Sequence, residues 1–542
     1  MSFDADVLVV GAGPVGLATA LSLSLNGVTV RVIEKLPELA VGQRGAAIAP
    51  RTMETYRMLG IADEVKAVGA LLMPMQVHDS EGRPTVVHPL MDNGKKTPGA
   101  PEPEFWCLGQ DRACVILSER LQKQFGVSIE FSTGLVNLEY DAAGITAAVD
   151  AQGRAKTIRT KYVVGADGGR GPTRKLCGAK LLSQSSPSPE ARMLIGDAEL
   201  GGLNTLYFHR FADEKGNMFF ARPVPEKPKL FTIAAFSADL DFTRAANDSE
   251  YLVGWVRKAT RHDDISISNV LTMSEWRLNV RMCESFQYGR VFLVGDAGHV
   301  HSPTGGQGMN SGILDAVNIG WKLALVCKDL ASPDLLKTYN EERIPVISEM
   351  LKITTKLASA TFVAKPDNEV FNRPASFGQL GVHYRWSSIV YDGLREGGLE
   401  VESTNVTPAS TYGEGEQGRL QAGDRAPDAP GLQGPAGETR LFDVFNAARH
   451  TVLVFEPSIV AATRVATEKY PKGYTRVVLL LPEGADVKDG TTLVDAQGHA
   501  TREYGAHAAG VAVAIVRPDG VVGALLKADE GVEEYFSRIF CT

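Results

Sequence analysis

Residues 6–34 read DVLVVGAGPVGLATALSLSLNGVTVRVIE, and this stretch decides the fold. Asp6–Val10 is a short β-branched run, as in a strand buried on both faces. Gly11-Ala12-Gly13-Pro14-Val15-Gly16 forms the turn, and Leu17–Leu25 has helical composition. Gly27 closes the helix where a left-handed residue is favoured. Thr29–Ile33 is the second strand, ending at Glu34 and Lys35. The spacing of Gly11, Gly13 and Gly16 is G-x-G-x-x-G. The first glycine permits a tight turn, the second lets a pyrophosphate approach the backbone, and the third lets helix and strand pack closely. Pro14 and Val15 open the helix, whose unpaired N–H groups and dipole suit phosphate. Glu34 stands where an acid accepts hydrogen bonds from an adenosine ribose. Alone, this fingerprint serves NAD and FAD equally.

A second signal lies far along the chain. Arg290–Val294 (RVFLV) is a buried strand, followed by Gly295-Asp296-Ala297-Gly298-His299. Pro303, Gly305-Gly306-Gln307-Gly308-Met309-Asn310 and a helix from Ser311 to Leu330 come next. Two glycine-rich helix openings can grip opposite ends of one long cofactor. Asp296, at a strand end, can bind a polyhydroxyl chain. A third strand, Lys161–Val164, stops at Gly165-Ala166-Asp167-Gly168-Gly169.

Together these residues resemble the motifs of class A FAD-dependent flavoprotein monooxygenases, the aromatic hydroxylases. G-D-A-x-H-x-x-x-P-x-G-G-Q-G-M-N is similar to their second flavin motif, and Asp167-Gly168 to their D-G motif. The resemblance implies FAD contacts from Asp296, Pro303, Gly306, Gly308, Met309, Asn310 and Asp167. Their D-G-A-R-S run reads Asp167-Gly168-Gly169-Arg170-Gly171 here, and their Gln-x-x-x-Glu segment reads Gln110-Asp111-Arg112-Ala113-Cys114. Gln110 is thus retained as a flavin ligand, the Glu is missing, and Arg112 joins the cofactor-side candidates. Arg44-Gly45 matches the family's loop beside the flavin ring. Ala46 stands where the phenol-hydroxylase branch has an acid, so no base is assigned to that loop.

The implied fold is α/β: a glutathione-reductase-like Rossmann FAD domain, an inserted β-sheet substrate domain and a C-terminal thioredoxin-like domain. The expected division is 1–180 with 285–365 for FAD, 181–284 for substrate, 366–419 as linker or extension, and 420–542 as the tail. Runs such as Leu206–Phe211, Met218–Pro223 and Leu230–Phe236 mark the inserted sheet. Arg222, His209 and Tyr207, with Arg44, are the candidates for turnover. The tail has no Cys between Cys327 and Cys541, which excludes dithiol exchange within it. It reads as a module packed on the catalytic body, whose removal leaves FAD in place.

The implied reaction is hydroxylation of a phenolic or other electron-rich aromatic, with O2 and NADPH or NADH consumed, through a C4a-hydroperoxyflavin. A Baeyer–Villiger or epoxidase-type oxygenase, or a non-enzymatic flavin-fold scaffold, are the alternatives. His299 and His301 form an H-x-H pair without a third ligand motif, so no metal is expected. The formal charge of -8 gives no basic footprint for nucleic acid. Six Cys without a C-x-x-C pair fit a reducing compartment. Apolar stretches stop short of the ~18 residues of a membrane span, and the N-terminus shows no basic signal region. A cytoplasmic homodimer is expected.

Overall fold

The computed structural model describes residues 2–183, 192–277, 279–301, 305–361, 373–394, 410–413, 418–485 and 490–541. The first sheet has a parallel centre. Ala5–Val10 lies between Val30–Ile33 and Arg154–Gly165, and Arg154–Gly165 pairs with Val291–Leu293 on its other side. The first turn ends as expected in the helix Pro14–Leu25. That helix packs with Gln110–Phe125 and Gln307–Cys327 in one apolar core, where Val7, Val9, Leu17 and Leu21 meet Ile313, Val317 and Trp321.

Register matters most for function. Val10 sits opposite Gly165, and Gly165 opposite Leu293. The three motif loops therefore leave neighbouring strands at the same level, although the chain visits them far apart. In open α/β sheets, ligands bind beyond such carboxyl ends.

The second sheet runs Ser266–Arg277, Arg192–Gly201, Lys227–Phe236, Met218–Val224, Phe208–Ala212, Met75–His78 and Pro84–His88. Its last two strands come from within 1–180, so the substrate sheet is not confined to 181–284. Met75–His78 joins Phe208–Ala212 in parallel, with Met75 opposite Phe208. The helices Phe242–Ala245 and Ser249–Thr260 cover one face, where Phe211, Phe219, Phe231 and Ile233 pack on Leu252 and Val256.

The segment 366–419 is also more than a linker. Much of it lies outside the described residues, but Phe377, Val382, Tyr384, Ile389 and Val390 are buried. Tyr391–Asp392 adds a strand to the C-terminal sheet beside Val522–Leu526. In that sheet His450–Val454 and Thr475–Pro482 are parallel, while Val513–Val516 is antiparallel to both its neighbours.

The tail is joined to the body by buried charge. At the turn between Val513–Val516 and Val522–Leu526, Arg517 is fully buried against Glu342 of the helix Lys337–Thr361, with Nη1 2.7 Å from Oε1. Lys322 reaches the same carboxylate at 2.6 Å. Arg51 donates to the carbonyls of Asp519 and Gly520, both at 2.9 Å. A module packed on the catalytic body was expected; this turn makes the contact through buried charge, beneath the helix Gln307–Cys327. Among the described residues, no helix is long and apolar enough to cross a membrane.

Candidate active site

The first loop has the shape that the glycine pattern demands. Gly11 has φ +107°, and a Cβ there would meet the carbonyl oxygen of Ala166 at 2.5 Å. A Cβ on Gly16 would collide with the carbonyl of Gly11. Gly13 differs: nothing among the described residues lies within 4 Å of its Cβ position. Close packing thus explains Gly11 and Gly16, whereas Gly13 keeps the backbone bare toward open space. The helix that follows begins at Pro14 with no side-chain cap, so its first N–H groups remain for an anion. Val15 is partly buried beneath Gly295 and Gly312. Glu34 Oε2 accepts from the Ala12 N–H at 2.9 Å, which ties the strand-end acid to the loop. Lys35 is exposed.

At the second loop, Gly306 has φ +62° and opens the helix Gln307–Cys327, again without a side-chain cap. Asn310 fastens the loop to Ala49 N–H at 2.8 Å and to the carbonyls of Ala47 and Gly306. Asn310 therefore braces the loop, and Met309 lies in the core beside Gly45. Pro303 lies outside the described residues. Asp296 is open to solvent at the end of its strand, yet protein surrounds it on most sides. That enclosure raises its pKa, with His299 and Arg44 pulling the other way. Its Oδ1 lies 3.9 Å from a Cβ position on Gly308, so Gly308 leaves the carboxylate uncovered.

Asp167 turns back into the protein. Its Oδ2 accepts from the N–H and hydroxyl of Thr173, at 2.8 and 2.7 Å. Gly171 makes this possible, because a Cβ there would overlap the Asp167 carboxyl. The family departure at that position thus gives room to the aspartate and does more than remove a hydroxyl.

Arg44 has φ 42° and an exposed side chain, so a non-glycine residue holds a left-handed turn beside the loops. Asp197, which carries no sequence motif, holds that turn: its Oδ2 accepts from Gln43 N–H at 2.9 Å. Asp111 accepts from Gly42 N–H at 3.3 Å, and Gln110 donates its N–H to the Gln43 carbonyl. Gln110 and the exposed Arg112 thereby flank the turn at the start of a helix.

The turn is coupled to the second sheet. Arg222 is buried, with Nη2 donating to Thr232 Oγ1 and Nη1 to Cys107 Sγ, both at 2.8 Å. Thr232 donates to Asp197 Oδ1 at 2.8 Å. Arg222 was expected to act on turnover more than folding, but these bonds give it a structural part as well. Cross-strand neighbours share a face. The face of Arg222 therefore also carries Phe220, Arg210, Phe208 and Met75.

His209 is opposite Ala221 and on the other face. It is buried toward the covering helices, with Nδ1 3.1 Å from His78 Nε2 and Nε2 2.9 Å from the Asn204 carbonyl. It does not join Arg222 at the site. Tyr207 is half-buried in the turn before the strand.

The residues present fit FAD: two uncapped helix openings, a bare Gly13 and an uncovered strand-end carboxylate converge on one side of the sheet. Comparison with known proteins agrees. Residues 4–354 match the FAD binding domain family. A flavin-dependent monooxygenase of Mycobacteroides abscessus is 31% identical, over 98% of this chain and 99% of the relative. Pentachlorophenol 4-monooxygenase of Sphingobium chlorophenolicum is 30% identical, over 98% and 95%. The solved ternary complex of aklavinone-11 hydroxylase with FAD and aklavinone superposes with a TM-score of 0.80, at 25% identity and over 99% of both chains. With the sheet register and the loops, these matches establish that the chain belongs to the class A FAD-dependent aromatic hydroxylases and is a flavoprotein monooxygenase.

Proposed function

We propose that the protein hydroxylates a phenolic or other electron-rich aromatic compound at the expense of O2 and NADPH or NADH. The in-register ends of the three motif strands support this reading, together with the Arg222–Thr232–Asp197 bonds that reach the Gln43 turn. When bound, FAD supplies two-electron reduction by the nicotinamide and transfer of one oxygen atom to the ring. The chain's own residues bind and orient. The first helix opening and Glu34 hold the adenosine end, while Asp296 and the Gly306–Gly308 opening hold the flavin end. The Arg222–Thr232–Asp197 chain fixes the Gln43–Gly45 turn between cofactor and substrate. Phe208, Phe220 and Met75 offer an apolar floor, and aromatic rings gain from such contacts as well as from burial. Arg222, at the edge of that floor, favours an anionic oxygen on the ring.

The parallel pair flanked by antiparallel strands in the tail supports a thioredoxin-like arrangement without redox chemistry. The test is a panel of chlorophenols, simple phenols and fused-ring polyphenols, scored for stimulated NAD(P)H oxidation with 18O2 and product mass analysis. A product carrying one 18O atom is expected. NAD(P)H oxidation without any labelled product across the panel would overturn the substrate class.

A further inference from the structure

Residues 89–94 carry no sequence motif, yet they join the second sheet to the second glycine-rich loop. Leu90 follows the edge strand Pro84–His88, whose His88 stands opposite Met75. Its side chain packs in two apolar clusters at once. One lies on the Arg222 face of the second sheet and contains Met75, Val77, Met218 and Phe220. The other is built from Ala49, Met91, Phe105 and Phe377. That second cluster touches the loop at two points. The terminal methyl of Met91 lies 3.9 Å from a Cβ position on Gly306, and Phe377 Cζ lies 3.7 Å from one on Gly305. Leu90 thus stands at the corner between the apolar floor and the loop.

The two faces of the second sheet differ in exposure. Phe211 and Phe219, on the face covered by helices, are 1% and 0% exposed. On the Arg222 face, Phe208, Ala234 and Phe236 are only partly buried, and so is Leu90. Apolar surface left open in this way is surface that a ligand ring covers with gain. Met91 and Phe377 are buried, whereas Leu90 keeps part of its side chain free for that contact.

The backbone holds Leu90 in place. Its carbonyl accepts from Arg373 N–H at 3.1 Å, and Asp92 N–H donates to the Arg373 carbonyl at 2.8 Å, in a parallel bridge centred on Met91. Asn93 Oδ1 accepts from Phe105 N–H at 3.3 Å, and Asp92 Oδ1 from Gly94 N–H at 2.9 Å. On the other side, the ring of Pro89 fixes its own φ. A side chain on so tethered a backbone keeps its direction when its length is changed, and the space it fills follows its size.

We propose that Leu90 determines the size of ring system the site accepts, as the wall where the apolar floor meets the second glycine-rich loop. The proposal rests on the reading of the Arg222 face as the substrate floor. A fused ring that extends along the floor toward the loop meets the Leu90 side chain. The contact is apolar and has no direction, so it selects by volume. Each methylene of fit or misfit in such a pocket changes discrimination by about 10- to 200-fold.

The test uses the FAD-loaded protein with phenol and 2-naphthol as probes, which share a ring hydroxyl and differ by a fused ring. Binding is read from the perturbation of the flavin absorbance, without nicotinamide or turnover. Leu90→Ala shortens the wall and should shift the ratio of the two dissociation constants toward 2-naphthol by about 10-fold. Leu90→Phe should shift it by a similar factor toward phenol. Val86→Ala, at an exposed position of the edge strand, should leave the ratio as in the wild type. FAD content and wild-type binding are measured first. A flavin that is present but perturbed by neither probe overturns the floor reading, and the role of Leu90 with it. Binding with a ratio that neither Leu90 variant moves, that both move in the same direction, or that Val86→Ala moves as far, overturns the role of Leu90 alone. If Leu90→Ala does not fold, Leu90→Phe decides: an unchanged ratio, or a gain for 2-naphthol, overturns it.

Discussion

Replacing Arg517 by Met should destabilise the whole protein, although the residue lies in a turn of the C-terminal sheet. The guanidinium makes two bonds to Glu342, at 2.7 and 2.9 Å, and bonds Asp519 at 3.0 Å from Nε to Oδ1. Lys322 completes the cluster, its own pKa pushed down to about 8 by burial. Two cations and two carboxylates balance. Without Arg517, one unit of negative charge stays uncompensated at a site with no solvent contact. Breaking a buried pair by removing one partner costs about 3–5 kcal/mol. The double variant Arg517→Met/Asp519→Asn leaves Lys322 and Glu342 as a neutral pair. It should be more stable than the single variant although more has been removed. Urea unfolding of the FAD-loaded proteins, followed by tryptophan fluorescence, reads both changes as shifts in midpoint. A loss below ~1 kcal/mol in the single variant, against the ~3–5 expected, would refute the reasoning. So would a double variant weaker than the single. By the same argument, removing residues 420–542 exposes Trp321 and leaves Lys322 and Glu342 without Arg517, so the truncated body should bind FAD poorly or aggregate.

Other outcomes follow from individual groups. Asp296→Ala loses a charge-assisted hydrogen bond, worth about 1.5–3 kcal/mol, and should weaken FAD by ~10- to ~100-fold in a fluorescence titration of the apoprotein. Gly13→Ala meets nothing among the described residues and should keep its melting temperature while losing FAD affinity. Gly16→Ala must displace the Gly11 carbonyl and should lower the melting temperature itself, so equal melting temperatures would contradict the packing account. His450 is buried among Trp321, Tyr535 and Phe536, and burial pushes its pKa down to about 3. The unfolded chain therefore binds the extra proton between about pH 6.5 and 3, and stability falls as pH falls through that window, by up to ~1.4 kcal/mol per unit. His450→Phe should flatten that part of the stability–pH curve.

The cofactor side was legible because turn chemistry is local. Gly11 and Gly16 are dictated by neighbouring backbone and Gly306 by its own positive φ, and all three stand in short motifs readable in the sequence. The substrate side was not. Phe208-His209-Arg210-Phe211 carries polar and apolar residues on both faces of a strand buried on both sides, so alternation does not say which face His209 joins. Strand 75–78 pairs with 208–212 across the Gln110 and Asp167 segments, and nothing local in it announces a parallel partner. Asp197 braces the Gln43–Gly45 turn through Gln43, a contact set by sheet register and by no motif. Arg517-Pro518-Asp519-Gly520 has the composition of a turn. Its charges are buried because Glu342 and Lys322 wait for them on elements distant in sequence.

The central claim is that three strand ends in register build an FAD site. It is tested most directly by FAD stoichiometry: apoprotein is reconstituted with FAD, freed of excess, and the flavin released by denaturation is counted against protein. The account predicts close to one FAD per chain, falling sharply in Asp296→Ala and Gly13→Ala while both variants remain folded. A folded wild-type protein that retains no flavin, or folded variants that both retain it in full under dilution, would contradict it.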